Sequence, residues 1–163
     1  MSWEDVINAA SAAWKVIEDG APSSEIQSNT ANAVPSVDDW KALTNANQPR
    51  KLTWKVVREN ALGLFTAVNV EFELFWEWGA TYRGGGAFIP NIWISVPRCE
   101  LTWGQNMNIN MIARNPTNKN AAVPSRPIAH IPITVTGTHH NFLESNHLEW
   151  NFVLEGDSNW QQI

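Results

Sequence analysis

The sequence has a single cysteine, Cys99, among its 163 residues. No intramolecular disulfide can form, so the fold does not depend on an oxidising compartment. Charge is scarce as well: Asp, Glu, Lys and Arg make up 17% of the chain, and the net charge is −5. A nucleic-acid binder needs a basic stripe, so nucleic acid is not an expected partner. The same acidity weakens any simple attraction to anionic lipid. No run approaches ~18 consecutive apolar residues, so no transmembrane helix is expected. The opening Met1-Ser2-Trp3-Glu4-Asp5 lacks the basic and apolar regions of a signal peptide. A soluble product made without a conventional secretion signal is therefore expected, either cytoplasmic in the producing cell or released from it.

What the chain has in excess is tryptophan, 10 residues in all, against a single tyrosine, Tyr82. Each indole carries an N–H that needs a partner when buried, and a core of this size seldom requires so many. Surplus Trp points to a surface that meets something half-apolar: a lipid headgroup layer, a sugar face or another protein. Low charge and Asn-rich runs such as Asn106–Asn110 favour recognition by hydrogen bonds and stacking.

A length of 163 residues fits one domain, and its organisation changes along the chain. Trp3, Val6, Ile7, Ala10, Ala13, Trp14 and Ile17 recur at helical spacing. Ser2 suits the N-cap, Glu4 and Asp5 offset the helix dipole, and Gly20 and Pro22 end the pattern. An amphipathic helix over 2–19 is predicted, either packed on the main domain or active at a membrane. Residues 20–50 are rich in Ser, Asn, Ala and Pro and read as a linker or long loop, with a short helical turn at 37–43.

From Lys51 onward the period is two. Val68, Val70, Phe72, Leu74, Trp76 and Trp78 alternate with Asn69, Glu71, Glu73 and Glu77, which marks a strand with one buried and one wet face. Further strands are expected near 87–96, 99–103, 105–113, 128–136 and 148–154, separated by Gly, Pro and Asn clusters. The predicted fold class is mainly β: an antiparallel β-sandwich over 51–163 carrying an N-terminal amphipathic α-helix.

Candidate chemistry is thin. Gly84-Gly85-Gly86 lacks the Gly-Lys-Ser/Thr ending of a phosphate loop and suits a glycine-rich hairpin. His139, His140, His147 and Glu144 match no dedicated zinc spacing, and adjacent histidines on a strand point to opposite faces. Cys99 lies in an alternating apolar run, as a small buried hydrophobe would. Glu71, Glu73 and Glu77 share the wet face of one strand, which is simpler than an acid–base pair. No catalytic residue, metal site or cofactor is expected. The stronger cluster is aromatic: Trp76, Trp78, Tyr82, Arg83 and Trp93 bracket the glycine-rich loop. Aromatic faces suit sugar C–H edges and can cage a choline headgroup. The same rings could instead close one end of the core.

This arrangement of helix, connection and sandwich resembles the actinoporins, small β-sandwich cytolysins with an amphipathic N-terminal helix and an aromatic lipid-binding surface. The stretch Val56-Val57-Arg58-Glu59, with Val68-Asn69-Val70-Glu71 and Phe75-Trp76, is also similar to the opening strands of the thermostable direct haemolysins. The resemblance implies the sandwich fold. It does not carry the lipid specificity, because actinoporins use a tyrosine cluster and a basic patch and this chain is acidic with one Tyr.

Two functions are compatible with these features. One is a non-enzymatic, pore-forming membrane binder that recognises membrane lipid or a cell-surface glycan through the aromatic end. Its membrane-inserting face would be Trp3, Val6, Ile7, Ala10, Trp14 and Ile17. A helix of about 18 residues rises ~27 Å, close to the hydrocarbon thickness. Its acidic face would line a water-filled pore, which requires a homo-oligomer. The other is a soluble cytoplasmic defence lectin that binds neutral carbohydrate.

Overall fold

A computed structural model describes residues 43–163, apart from 61, 103, 115, 121, 124–125 and 142–143, together with the backbone of three short N-terminal strands. In chain order the strands are β1 Asn8–Ala9, β2 Ala13–Ile17, β3 Thr30–Val34, β4 Leu43–Thr44, β5 Asn47–Glu59, β6 Thr66–Trp78, β7 Ala80–Tyr82, β8 Gly85–Leu101, β9 Asn106–Ala113, β10 Thr117–Asn118, β11 Ala129–His140, β12 Ser145–Glu155 and β13 Trp160–Gln162. They form two antiparallel sheets. One runs β1-β3-β8-β6-β5, with β7 and β4 continuing from β8; the other runs β13-β12-β11-β9-β2, with β10 beside β11.

The alternation in the sequence builds the core directly. Val68, Val70, Phe72, Leu74 and Trp76 of β6 are buried, as are Ile92, Ile94 and Val96 of β8. Opposite them lie Met107, Ile109 and Met111 of β9 and Ile131, Ile133 and Val135 of β11. Aromatic rings join the two sheets: Phe72 lies 5.6 Å from Trp150 and Trp54 lies 5.2 Å from Phe152, centroid to centroid. The outer face of β6 stays wet and carries Glu73, which pairs with Lys51 at 2.6 Å.

β8 is one strand where the sequence suggests two. Glu71 faces Arg98 and Glu73 faces Ser95, so two steps along β6 match three along β8. The extra residue falls at Val96-Pro97. Proline has no N–H for the ladder, and a bulge is where a strand tolerates that loss. Pairing resumes on both sides, so the proline interrupts the pattern without ending the strand.

The helix predicted over 2–19 falls mostly outside the described residues, including Trp3, Val6, Ile7 and Ala10. The two described pieces within it are strands and not helix. Ala13, Trp14, Lys15 and Ile17 of β2 pair with Ile112, Met111, Asn110 and Ile109 of β9. Trp14, Val16 and Ile17 are aromatic or β-branched, and β9 offers an otherwise unpaired edge; together these outweigh the helical spacing. Likewise β3 and the start of β5 lie within the stretch expected to be a linker, and the helical turn expected at 37–43 lies outside the description except for Leu43, which belongs to β4. Among the described residues no helix is long and apolar enough to cross a membrane.

The sandwich has two distinct ends. At one end Gly79 donates to the Gly156 carbonyl at 2.8 Å and Gly156 donates to Ala129 at 2.7 Å, tying both sheets together. At the other end lie the β5–β6 hairpin, the β8–β9 connection and the β11–β12 connection.

Candidate functional site

The five aromatic-end residues predicted as a ligand site do not converge. Trp76 is fully buried in the core, with the Arg50 guanidinium 6.0 Å from its ring centre. Trp78 and Tyr82 are half-buried and pack against that core. Arg83 is exposed, and its guanidinium lies 5.2 Å from the Tyr82 ring centre. Arg83 and Gly84 form a two-residue turn with φ of 49° and 78°, joining Tyr82 to Gly85. Two successive positive φ values are those of the type I′ hairpin turn, which explains the glycine-rich run. Trp93 stands apart. Its neighbours Ile92 and Ile94 point inward, so it projects from the outer face, stacked on Phe75 at 5.1 Å and an interplanar angle of 5°.

The opposite end carries a feature not singled out from the sequence. Leu62, Leu64 and Phe65 at the β5–β6 tip are 76%, 75% and 54% exposed. Such apolar side chains seldom gather at a turn, where polar residues are usual. The tip is nonetheless ordered by one side chain. The Asn60 side-chain oxygen accepts the backbone N–H groups of Leu64 at 2.7 Å and Phe65 at 3.3 Å. The Asn60 N–H donates to the Phe65 carbonyl at 2.9 Å, and Gly63, at φ 66°, donates to the Asn60 carbonyl at 2.8 Å. The turn thus satisfies its backbone internally and turns its apolar side chains outward. The run Leu-Gly-Leu-Phe between two alternating strands is the sequence signal that marks it.

Beside the tip is a cleft of about 360 Å³, lined by Thr66, Asn69, Cys99, Glu100, Leu101 and Thr102. Asn69 donates to the Glu100 carboxylate at 2.7 Å. Burial pushes the Cys99 thiol pKa up, so the thiol stays protonated. Charges around this end are mixed: Arg58, Glu59, Arg98 and Glu100 are all exposed.

His139 sits beneath the same end, only 5% exposed, with Nε2 2.6 Å from the Gln105 side-chain oxygen. Burial, and then the Arg58 and His140 charges, hold its pKa below the usual histidine value. His140 projects to the other face, and His147 lies 3.7 Å from Glu149 at the surface. Among the described residues no three His, Cys, Asp or Glu side chains gather as a metal would require.

A second missed feature is lateral. Between β5 and β13, each the last strand of its sheet among the described residues, runs a groove of about 200 Å³ with Trp54, Trp150, Phe152 and Trp160 along it. Trp54 and Trp150 are half-buried, and Trp160 is 42% exposed. These indoles are about a hundred residues apart in the chain, so only the fold reveals them as a set.

Comparison of this chain with known protein families, characterised proteins and solved structures gives no match.

Proposed function

We propose that this protein is a peripheral membrane binder that docks by inserting the β5–β6 tip into the bilayer interface. The observation that carries this reading is the exposure of Leu62, Leu64 and Phe65 on a turn whose backbone is hydrogen-bonded to Asn60. A folded chain gains nothing by ordering three large apolar side chains in water. Moving each out of water returns about 1.5–3 kcal/mol when burial is complete, and less at interfacial depth. Three together suffice for reversible adsorption, comparable in kind to a single short lipid anchor.

The surroundings favour a zwitterionic surface. Charges near the tip are balanced, and the net charge of −5 opposes anionic lipid. Beside the tip the Glu100 carboxylate is held by Asn69 and by Arg98 at 3.7 Å, so this surface meets the headgroups as a nearly neutral one.

Sedimentation with phosphatidylcholine vesicles tests this reading. Binding is expected to persist from low to high salt, because the driving term is apolar burial. Adding phosphatidylserine should weaken it. Dye release from the same vesicles reads permeabilisation separately from binding and so tests the pore-forming activity expected of a cytolysin-like chain. Failure to sediment with any vesicle would refute membrane docking.

A further inference from the structure

His139 closes the inner face of β11 at the tip end, and only one of its two ring nitrogens is used. Nε2 lies 2.6 Å from the Gln105 side-chain oxygen, a bond that joins β11 to the β8–β9 connection across 34 residues of sequence. A carboxamide oxygen only accepts, so Nε2 carries the proton and Nδ1 holds a bare lone pair. Nδ1 is buried and has no hydrogen-bond partner among the described residues. A second proton on this ring would therefore create a buried cation whose new N–H has no acceptor, which is costly. The surroundings add to that cost. The charged groups near the ring are Arg58 from β5, His140 next to it on β11 and Glu144 from the β11–β12 connection, and the two basic ones outweigh the carboxylate. β12 pairs Asn146 with His139 and places His147 opposite Thr138, on the other face. β9 brings the buried Met107, and β8 brings Leu101 and the neutral Cys99 thiol.

We infer that His139 is an acid-released clasp: neutral, it holds β11 to the β8–β9 connection beside the tip, and protonated, it leaves Gln105 for water and that end of the sandwich opens. His139 is the last residue but one of β11, and a strand end opens at less cost than a strand centre. The direction of the pH dependence follows from burial. In the opened end the ring titrates near the ordinary value of about 6.5, and in the closed end it titrates lower. Opening therefore grows as pH falls below about 6.5, by at most about tenfold per pH unit. Opening also uncovers Met107, the cross-strand partner of His139, and so enlarges the apolar surface beside the tip. Stronger docking in acid is the consequence, and that consequence rests on the membrane-docking reading.

Amide hydrogen exchange on the full chain tests the clasp without any vesicle. Gln105, Asn141 and Glu144 report the tip end, since their N–H groups bond within its two connections. The amides of the central strand β6 report global unfolding. After correction for the intrinsic rate, protection at the tip end should be lower than in β6 and should fall roughly three- to tenfold between pH 7.5 and 5.5. His139→Gln should abolish that fall. Gln105→Leu, which deletes the acceptor, should already lower tip-end protection about fivefold at pH 7.5. Tip-end protection that stays flat with pH would overturn the inference. So would protection equal to that of β6 at every pH, or a fall that persists in His139→Gln. Sedimentation with phosphatidylcholine vesicles, whose headgroups keep the same charge over this range, should show tighter binding at pH 5.5 than at 7.5 for the parent chain and not for His139→Gln. Equal binding at both pH values would break the link between clasp and docking. Binding at neither pH would refute docking, while exchange still decides the clasp.

Discussion

The Asn60 side-chain oxygen accepts the Leu64 backbone N–H at 2.7 Å, and this bond fixes the direction in which the apolar tip points. It turns a six-residue connection into a shaped protrusion. Asn60→Ala removes the acceptor for both Leu64 and Phe65 while leaving every apolar side chain in place. The expected cost to folding is about 1 kcal/mol or less, because freed N–H groups at an exposed turn can bond to water. Vesicle affinity should nevertheless fall, since a floppy tip loses conformational entropy on insertion. Equal affinity for the variant and the parent chain would mean that preorganisation plays no part.

The core makes a sharper contrast. Phe72 is fully buried, stacked on Trp54 at 5.4 Å and 5.6 Å from Trp150. Phe72→Ala should cost about 3–5 kcal/mol in chemical denaturation. Glu73→Ala, one residue along, removes only a partly exposed ion pair with Lys51 and should cost at most ~1 kcal/mol. Similar losses at the two positions would place the β6 register out by one residue.

Gly156 closes the end away from the tip. A Cβ there would overlap the Ala87 carbonyl oxygen and press on Ala129. That neighbour is backbone, so it cannot swing aside as a flexible side chain would. Gly156→Ala should therefore lower stability by about 1–3 kcal/mol, as overpacking does, while vesicle binding at the far end persists in the folded fraction. A melting temperature equal to that of the parent chain would contradict this packing.

The buried histidine gives the fold a pH dependence of definite sign. The folded pKa of His139 is depressed, first by burial and then by Arg58 and His140. The unfolded chain therefore binds a proton at higher pH than the folded one does. Stability from this group is complete above the unfolded value of about 6.5 and is lost as pH falls from there toward the folded pKa. Melting temperatures measured from pH 7.5 to 5 should decline, and His139→Gln should flatten the decline. An unchanged slope in the variant would assign the acid sensitivity to other groups.

Sequence and structure agree where side chains report local geometry. The alternation over 66–78 sets the bounds of β6, its buried face and the wet placement of Glu71 and Glu73, because a strand with one solvated face cannot hide its period. The second sheet is legible for the same reason along Met107, Ile109 and Met111. Long-range pairing is not legible in this way. The stripe through Trp14 and Ile17 reads as helix until β9 supplies an edge. Pro97 reads as a strand end until β8 is seen to bulge around it. Trp93 groups with Trp76 by sequence proximity, yet the odd spacing between them, aided by the Arg83-Gly84 turn, sends it to the opposite face. The groove rings, Trp54, Trp150 and Trp160, are brought together only by the approach of β5 to β12 and β13.

Insertion of the tip is the central claim, and a fluorophore placed on it reads insertion directly. Leu64→Cys in a Cys99→Ser background provides one exposed thiol for an environment-sensitive nitrobenzoxadiazole label; Val123→Cys, also exposed but away from the tip, serves as the control position. On addition of phosphatidylcholine vesicles, the label at 64 should shift to the blue and gain intensity, and quenchers placed in the acyl region should dim it, while the label at 123 stays unchanged. A label at 64 that keeps its aqueous spectrum while the protein sediments with the vesicles would show that another surface makes the contact.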